Sequence, residues 1–158
     1  MPYEARLTEM GIVLPAVPRP VAAYVPALAA GRIVYTSGQL PVAGGEVAYA
    51  GKVGLELSEE EGFQAARLCA LNCLAALKSV AGSLDRVEQI VKLTGFVNSA
   101  PGFTRQPFVI NGASEFLAEV FGDAGRHARS AVGVAELPLN AAVELEMIIL
   151  ITPSLVIK

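Results

Sequence analysis

The segment Val87–Val97 restricts the possible folds more than any other part of the chain. It reads as a strand of eleven residues in which Val91, Leu93 and Val97 share one face while Ile90 and Phe96 occupy the other. An antiparallel strand with one solvated face alternates apolar with polar residues. This one is apolar on both faces, so a sheet built around it needs helices on one side and something else, such as another subunit, on the other.

Two amphipathic segments can supply the helical cover. Ser58-Glu59-Glu60-Glu61 is a capping box, and it opens a long helix that ends at Gly82. Phe63, Ala66, Ala70, Cys73, Leu77 and Val80 recur on it at spacings of three and four, which places one stripe against a core. Leu68, Leu71 and Leu74 widen the apolar surface, so part of a second face is semi-exposed or touches a neighbour. A second helix is predicted from Thr104 to Phe121, with Pro107 tolerated in its first turn and Val109, Ala113, Phe116 and Val120 on one face. Ahead of the first helix, Arg32–Ser37 reads as a strand with Tyr24–Leu28 as its short partner. Residues 1–20 carry prolines at 2, 15, 18 and 20 and form an irregular lead-in with one short helix near Ala5–Met10. With no internal repeat, the alternation of strands and helices predicts a single α/β (α+β) domain over residues 1–158.

Composition narrows the class. The chain of 158 residues is 53% hydrophobic and 17% charged, yet it has no run near the ~20 apolar residues of a membrane span. Such a chain has more apolar surface than one small core hides, which favours an obligate homo-oligomer. The net charge of −3 with scattered basic residues counts against nucleic acid as a ligand. Met1-Pro2-Tyr3-Glu4 begins no signal-like segment, so a cytoplasmic location is expected. Cys69 and Cys73 are four apart, which fits neither a redox pair nor a zinc pair and reads as core. His127 is the one histidine, so neither a Ser-His-Asp triad nor a multi-histidine metal site can be built. It reads as a polar residue at the start of a strand.

The last two strands, Ala128–Val134 and Ala142–Ile151, carry the charges of interest. In the first, Arg129 shares a face with Ala131 and Gly133, whose small side chains leave space beside the guanidinium. In the second, Glu144 and Glu146 share a face opposite Val143, Leu145, Met147, Ile149 and Ile151. A guanidinium in such a strand needs an anion. An intramolecular carboxylate or a ligand carboxylate held by the planar fork would satisfy it.

The order of elements, with Ser37-Gly38-Gln39-Leu40-Pro41, Phe96-Val97, Arg129-Ser130, Leu137-Pro138 and Val143-Glu144-Leu145-Glu146, resembles the RidA/YjgF family, also called reactive intermediate deaminase or endoribonuclease L-PSP proteins. The likeness runs from about Val21 to Ile151. It implies a chorismate mutase-like fold, a mixed β-sheet with two helices on one face. Three such chains would form a homotrimer around a barrel-like core, with ligand pockets between subunits. It further implies hydrolysis of enamines and imines such as 2-aminoacrylate to 2-keto acids and ammonia, without metal or organic cofactor. Alternatives are a non-catalytic binder of small carboxylates or an endoribonuclease. By the resemblance Glu144 orients or activates water, Arg129 clamps the substrate carboxylate, Tyr24 closes the pocket from an adjacent subunit, and Asn111 matches a helix asparagine of the site. Two departures stand out: Ala131 replaces a usual cysteine, and Val25 follows Tyr24 where a serine is usual. The run Gly125–Ser130 marks a longer, divergent branch.

Overall fold

The capping box forms as the sequence predicts: Glu61 N–H donates to Ser58 Oγ at 3.1 Å, and Ser58 N–H donates to Glu61 Oε2 at 2.7 Å. It opens the longest element of the computed structural model, which describes residues 1–17 and 23–153. The elements in order are α1 (Tyr3–Glu9), β1 (Ala27–Ala30), β2 (Ile33–Thr36), β3 (Val42–Ala43), β4 (Glu46–Val47), α2 (Glu59–Ala81), β5 (Val87–Asn98), α3 (Gln106–Phe121), β6 (Ala128–Val134) and β7 (Val143–Ile151). Single 3₁₀ turns lie at Leu84–Arg86, Gly122–Gly125 and Pro138–Asn140. Of the expected lead-in, Pro18 and Pro20 lie outside the described residues.

Five strands form one mixed sheet in the order β1-β2-β7-β5-β6, with β5 and β6 parallel and the other neighbours antiparallel. The parallel pair is joined through α3, the crossover such a pair requires. Helices α2 and α3 pack together on one face of the sheet. Beneath them Val34, Ile90, Leu93, Val97, Val143, Leu145 and Ile149 have no exposed surface. Each such side chain contributes about 1.5–3 kcal/mol on burial, so this layer dominates the fold's stability. The two helices approach closely because residue 112 is glycine: a methyl there would overlap the Phe63 carbonyl. Cys69 and Cys73, one turn apart on α2, reach the Val143 and Leu145 carbonyls of β7 at 3.5 and 3.4 Å. Burial raises both thiols, Cys73 to about 12, so they are inert core groups.

Several expectations shift by physical causes that alternation cannot carry. The β5 register slips between Ile90 and Lys92 against β7, a bulge that leaves Val91 unpaired. Ile90 therefore joins Leu93 and Val97 under the helices, while Val91 is exposed, the reverse of their expected placement. The strand expected at Tyr24–Leu28 begins instead at Ala27, because Pro26 has no N–H for a ladder. It turns into β2 through Gly31, whose φ of 62° fits a two-residue hairpin. Val80, assigned to the buried stripe of α2, is exposed, and Leu74 is buried in its stead. Leu68 and Leu71 line a cavity of about 260 Å³ with Ile12 of the lead-in and Tyr49 and stay half-buried, so part of this second face is semi-exposed.

Helix α1 closes the open ends of the helix layer. Leu7 is buried, and Tyr3 meets Phe121 edge-on at 4.7 Å. Glu4 accepts from Leu84 N–H and Ser83 Oγ and pairs with Lys78 at 3.0 Å. Arg6 donates to the Val120 carbonyl at the end of α3. Among the described residues no helix covers the opposite face of the sheet, which exposes Leu28, Tyr35 and Val132.

Candidate functional site

Arg129 lies on β6, an edge strand, opposite Leu93 of β5, so its side chain points to the helix side. There it meets the first three turns of α3. Nη1 donates to Asn111 Oδ1 at 2.8 Å and to Ser114 Oγ at 3.1 Å, while Nη2 makes a longer contact of 3.4 Å with the Pro107 carbonyl. All these partners are neutral. No carboxylate among the described residues pairs with this half-buried guanidinium, so the intramolecular salt bridge open from the sequence does not form. Burial lowers its pKa without threatening its charge. The Nε–Nη2 edge of the fork keeps donors unspent, and Ala131 beside it is small.

The same network reaches the single histidine. His127 Nε2 lies 3.0 Å from Ser114 Oγ, and Nδ1 lies 2.6 Å from the Gly125 carbonyl. Burial and the nearby Arg129 charge, opposed by the Gly125 contact, lower the imidazole pKa below its ordinary value.

Glu144 occupies β7 opposite Phe96, on the face without helices. Beyond the end of β2 the chain is held to β7 by paired bonds: Gln39 N–H to the Leu145 carbonyl at 2.8 Å and Leu145 N–H to the Gln39 carbonyl at 3.0 Å. This brings Gly38 against the Glu144 carboxylate so closely that a methyl at residue 38 would overlap it. No donor among the described residues satisfies that carboxylate. Burial, then the neighbouring Glu146 charge, raises its pKa. Tyr24, exposed ahead of β1, lines a cavity of about 630 Å³ with Gly38, Gln39, Leu40, Asn72 and Leu139.

The structure thus joins Arg129 to Asn111 but does not bring Glu144 or Tyr24 to them. Arg129 and Glu144 face opposite sides of the sheet. Two strand spacings and a stagger of three residues also separate their backbones by about 14 Å. A small acid bound by the guanidinium cannot reach this carboxylate within one chain. Sequence reasoning gave no site role to Ser114, His127 or Gly38. The first was legible as the i+3 neighbour of Asn111 on one helix face, and Gly38 belonged to a quoted motif. Among the described residues no three His, Cys, Asp or Glu side chains group as metal ligands.

With the mixed sheet, the two helices on one face and the Arg129 and Glu144 positions in place, comparison with known proteins gives a consistent answer. A family described as "YjgF/chorismate mutase-like, putative endoribonuclease" matches residues 4–151. The chain belongs to this YjgF family. Protein TCP17 of Trypanosoma cruzi is 46% identical over 146 residues, covering 92% of this chain and 91% of that protein. A 2-iminobutanoate/2-iminopropanoate deaminase of Dermatophagoides farinae is 31% identical over 139 residues, with coverage of 87% and 92%. A Shewanella oneidensis crystal structure, described as a putative endoribonuclease, superposes with a TM-score of 0.92 at 35% identity, covering 96% of this chain and 100% of that one. The fold is therefore the chorismate mutase-like fold of the YjgF proteins. Ala131 sits on the Arg129 side of β6. Val25 contributes its carbonyl, not its side chain, to Ser37 Oγ at 2.5 Å.

Proposed function

We propose that this YjgF-family protein hydrolyses small 2-imino acids and their enamine tautomers to 2-keto acids and ammonia. We further propose that each site is completed by a second copy of the chain, in a homotrimer. The observation that carries the reading is Arg129, half-buried, held by Asn111 and Ser114, and left with one edge of its fork free and no acidic partner among the described residues. A planar carboxylate fits that edge. The deaminase relative supports the imine class.

The chemistry asks little of the protein. With the carboxylate on Arg129, water adds across the C=N bond, its proton passing through Glu144 to the nitrogen. The hydroxyl proton of the resulting aminol then moves by the same carboxylate to the nitrogen as the C–N bond breaks, releasing ammonia and leaving the ketone. A pKa raised above the ordinary carboxylate range suits a group that both takes and returns a proton. Since Arg129 and Glu144 lie on opposite faces, the copy that supplies the guanidinium differs from the one that supplies the carboxylate, with Tyr24 and Gly38 on the carboxylate side. The exposed apolar face of the sheet is the surface on which copies would meet.

The test uses imino acids generated in situ by an amino-acid oxidase, with the uncatalysed rate subtracted. Arg129→Ala and Glu144→Gln should each fall well below the wild-type rate alone. Mixed and allowed to exchange subunits, they should regain activity at about one site in four, the fraction random pairing gives. No regain from well-mixed variants would overturn the composite site. A wild-type rate no higher than background, with Arg129-dependent affinity for 2-keto acids, would replace the deaminase with a small-carboxylate binder. That second reading is favoured by one observation: beside Arg129 stand Ala131 and Gly133, with no thiol or hydroxyl of their own. The net charge of −3 counts against RNA as the substrate.

A further inference from the structure

We propose that His127, acting through the Ser114 hydroxyl, is a positioning residue that fixes the Arg129 guanidinium for carboxylate binding; this rests on the clamp role of Arg129. The argument follows the protons. Arg129 Nη1 can only donate, so Ser114 Oγ accepts from it at 3.1 Å. The Ser114 proton must then go elsewhere, and His127 Nε2 stands 3.0 Å away. The Gly125 carbonyl, 2.6 Å from Nδ1, can only accept, so Nδ1 carries the imidazole proton and Nε2 offers its lone pair to Ser114. Every group has one consistent role when His127 is neutral. The chain runs Arg129 Nη1–H to Ser114 Oγ–H to His127 Nε2, with Nδ1–H anchored on Gly125. It links β6, α3 and the turn between them.

The surroundings of the ring favour that neutral state. Arg129 on β6 is the charged group that bears on it, α3 offers the Ser114 hydroxyl, and the turn offers the Gly125 carbonyl. The Asp123–Arg126 ion pair of that turn, at 3.6 Å, is exposed to water. Without the ring nitrogen, the hydroxyl can rotate and turn its proton toward the guanidinium, where it repels Nη1 and loosens the fork. Asn111 Oδ1 remains as one acceptor, so the effect should be graded rather than total.

The experiment measures calorimetric affinity for pyruvate and the ring-nitrogen NMR shifts of His127 in the ligand-free protein. The wild type should show the Nδ1-protonated tautomer, and Ser114→Ala should keep it, because Gly125 still anchors Nδ1, while the Nε2 shift moves as its hydrogen bond is lost. Ser114→Ala and His127→Phe should each weaken pyruvate binding about five- to twentyfold, the double variant no more than either single, because the two act in series. His127→Gln should recover most of the loss, since its Oε1 can accept from Ser114 where Nε2 did. Unchanged affinity in both single variants, while Arg129→Ala weakens binding, would overturn the positioning role and leave the clamp intact. Additive losses, or an Nε2-protonated ring, would also overturn it. Equal affinity of Arg129→Ala and wild type would instead remove the clamp itself, and the proposal with it.

Discussion

Leu93 and Phe96 lie three residues apart on β5, yet they belong to different environments. Leu93 faces the helices with Val97, Leu145 and Met147, all essentially without exposed surface. Phe96 faces the other way, among half-buried Ile148, exposed Tyr35 and Val132, and the carboxylates of Glu144 and Glu146. Both faces are apolar, but only one is covered by the chain's own helices. The helix face is finished and chemically quiet, down to two thiols that cannot ionise near neutrality. The reactive groups sit where cover stops: Arg129 at the rim of α3 on the edge strand, and Glu144 beside Gly38 on the bare face. Apolarity places a residue in the sheet, while the limits of the cover decide which polar groups remain available.

That contrast can be broken experimentally. Glu144→Gln should lower the imine-hydrolysis rate by about 10²–10⁴, the usual worth of a positioned acid or base, with little loss of 2-keto acid affinity. The wild-type acidic limb of the pH–rate profile should lie above the ordinary carboxylate range, because burial and Glu146 raise the Glu144 pKa. The sign for stability is opposite to that for rate. The folded chain holds this proton more tightly than the unfolded one, so ionisation erodes stability as pH rises through the raised pKa. Glu144→Gln should consequently be slightly more stable than wild type at neutral pH and no more stable in acid, by denaturant melts at both pH values.

Leu93→Ala should cost about 2–5 kcal/mol in such melts, independent of protein concentration, as for other buried leucines. Phe96→Ala should act mainly through assembly, and its melting temperature should depend on concentration more strongly than that of wild type. A matching, concentration-independent loss for both would show that the two faces are not distinct. Arg129→Ala should weaken 2-keto acid binding by about 1.5–3 kcal/mol, and Arg129→Lys should recover only part, since an ammonium lacks the fork. Calorimetry on the three proteins decides it.

Gly38→Ala makes the sharpest small test. The added methyl displaces the Glu144 carboxylate, the far end of a flexible side chain, so the fold should lose less than about 1 kcal/mol while activity falls. Normal activity in this variant would mean that the carboxylate need not lie against Gly38. Smallest of all, Glu4→Gln should flatten the acid limb of stability. Its bonds to Leu84 N–H and to Lys78 hold the Glu4 pKa below the usual range, so that contribution exists above the unfolded pKa and is lost as pH falls through the folded one.

Much of this was written in local pattern. The capping box, the stripe Val109-Ala113-Phe116-Val120, the core cysteines and the alternation of Arg129 with Ala131 and of Glu144 with Glu146 all follow from periods of 3.6 and 2 that neighbouring residues fix among themselves. The resemblance carried by Gly38-Gln39-Leu40-Pro41 and Arg129–Glu146 was likewise legible, and with it the chorismate mutase-like fold. The bulge at Val91 was not, because a ladder that slips by one residue leaves the composition of the strand unchanged. Nor was the relation between the two charged strands. Each strand's alternation says which residues share a face, but which side of the sheet that face meets depends on the register each makes with β5. Leu93 sends Arg129 toward the helices, and Phe96 sends Glu144 away from them. Sequence alone determined the two side chains and their companions; only the long-range pairing of three strands decided that they look in opposite directions.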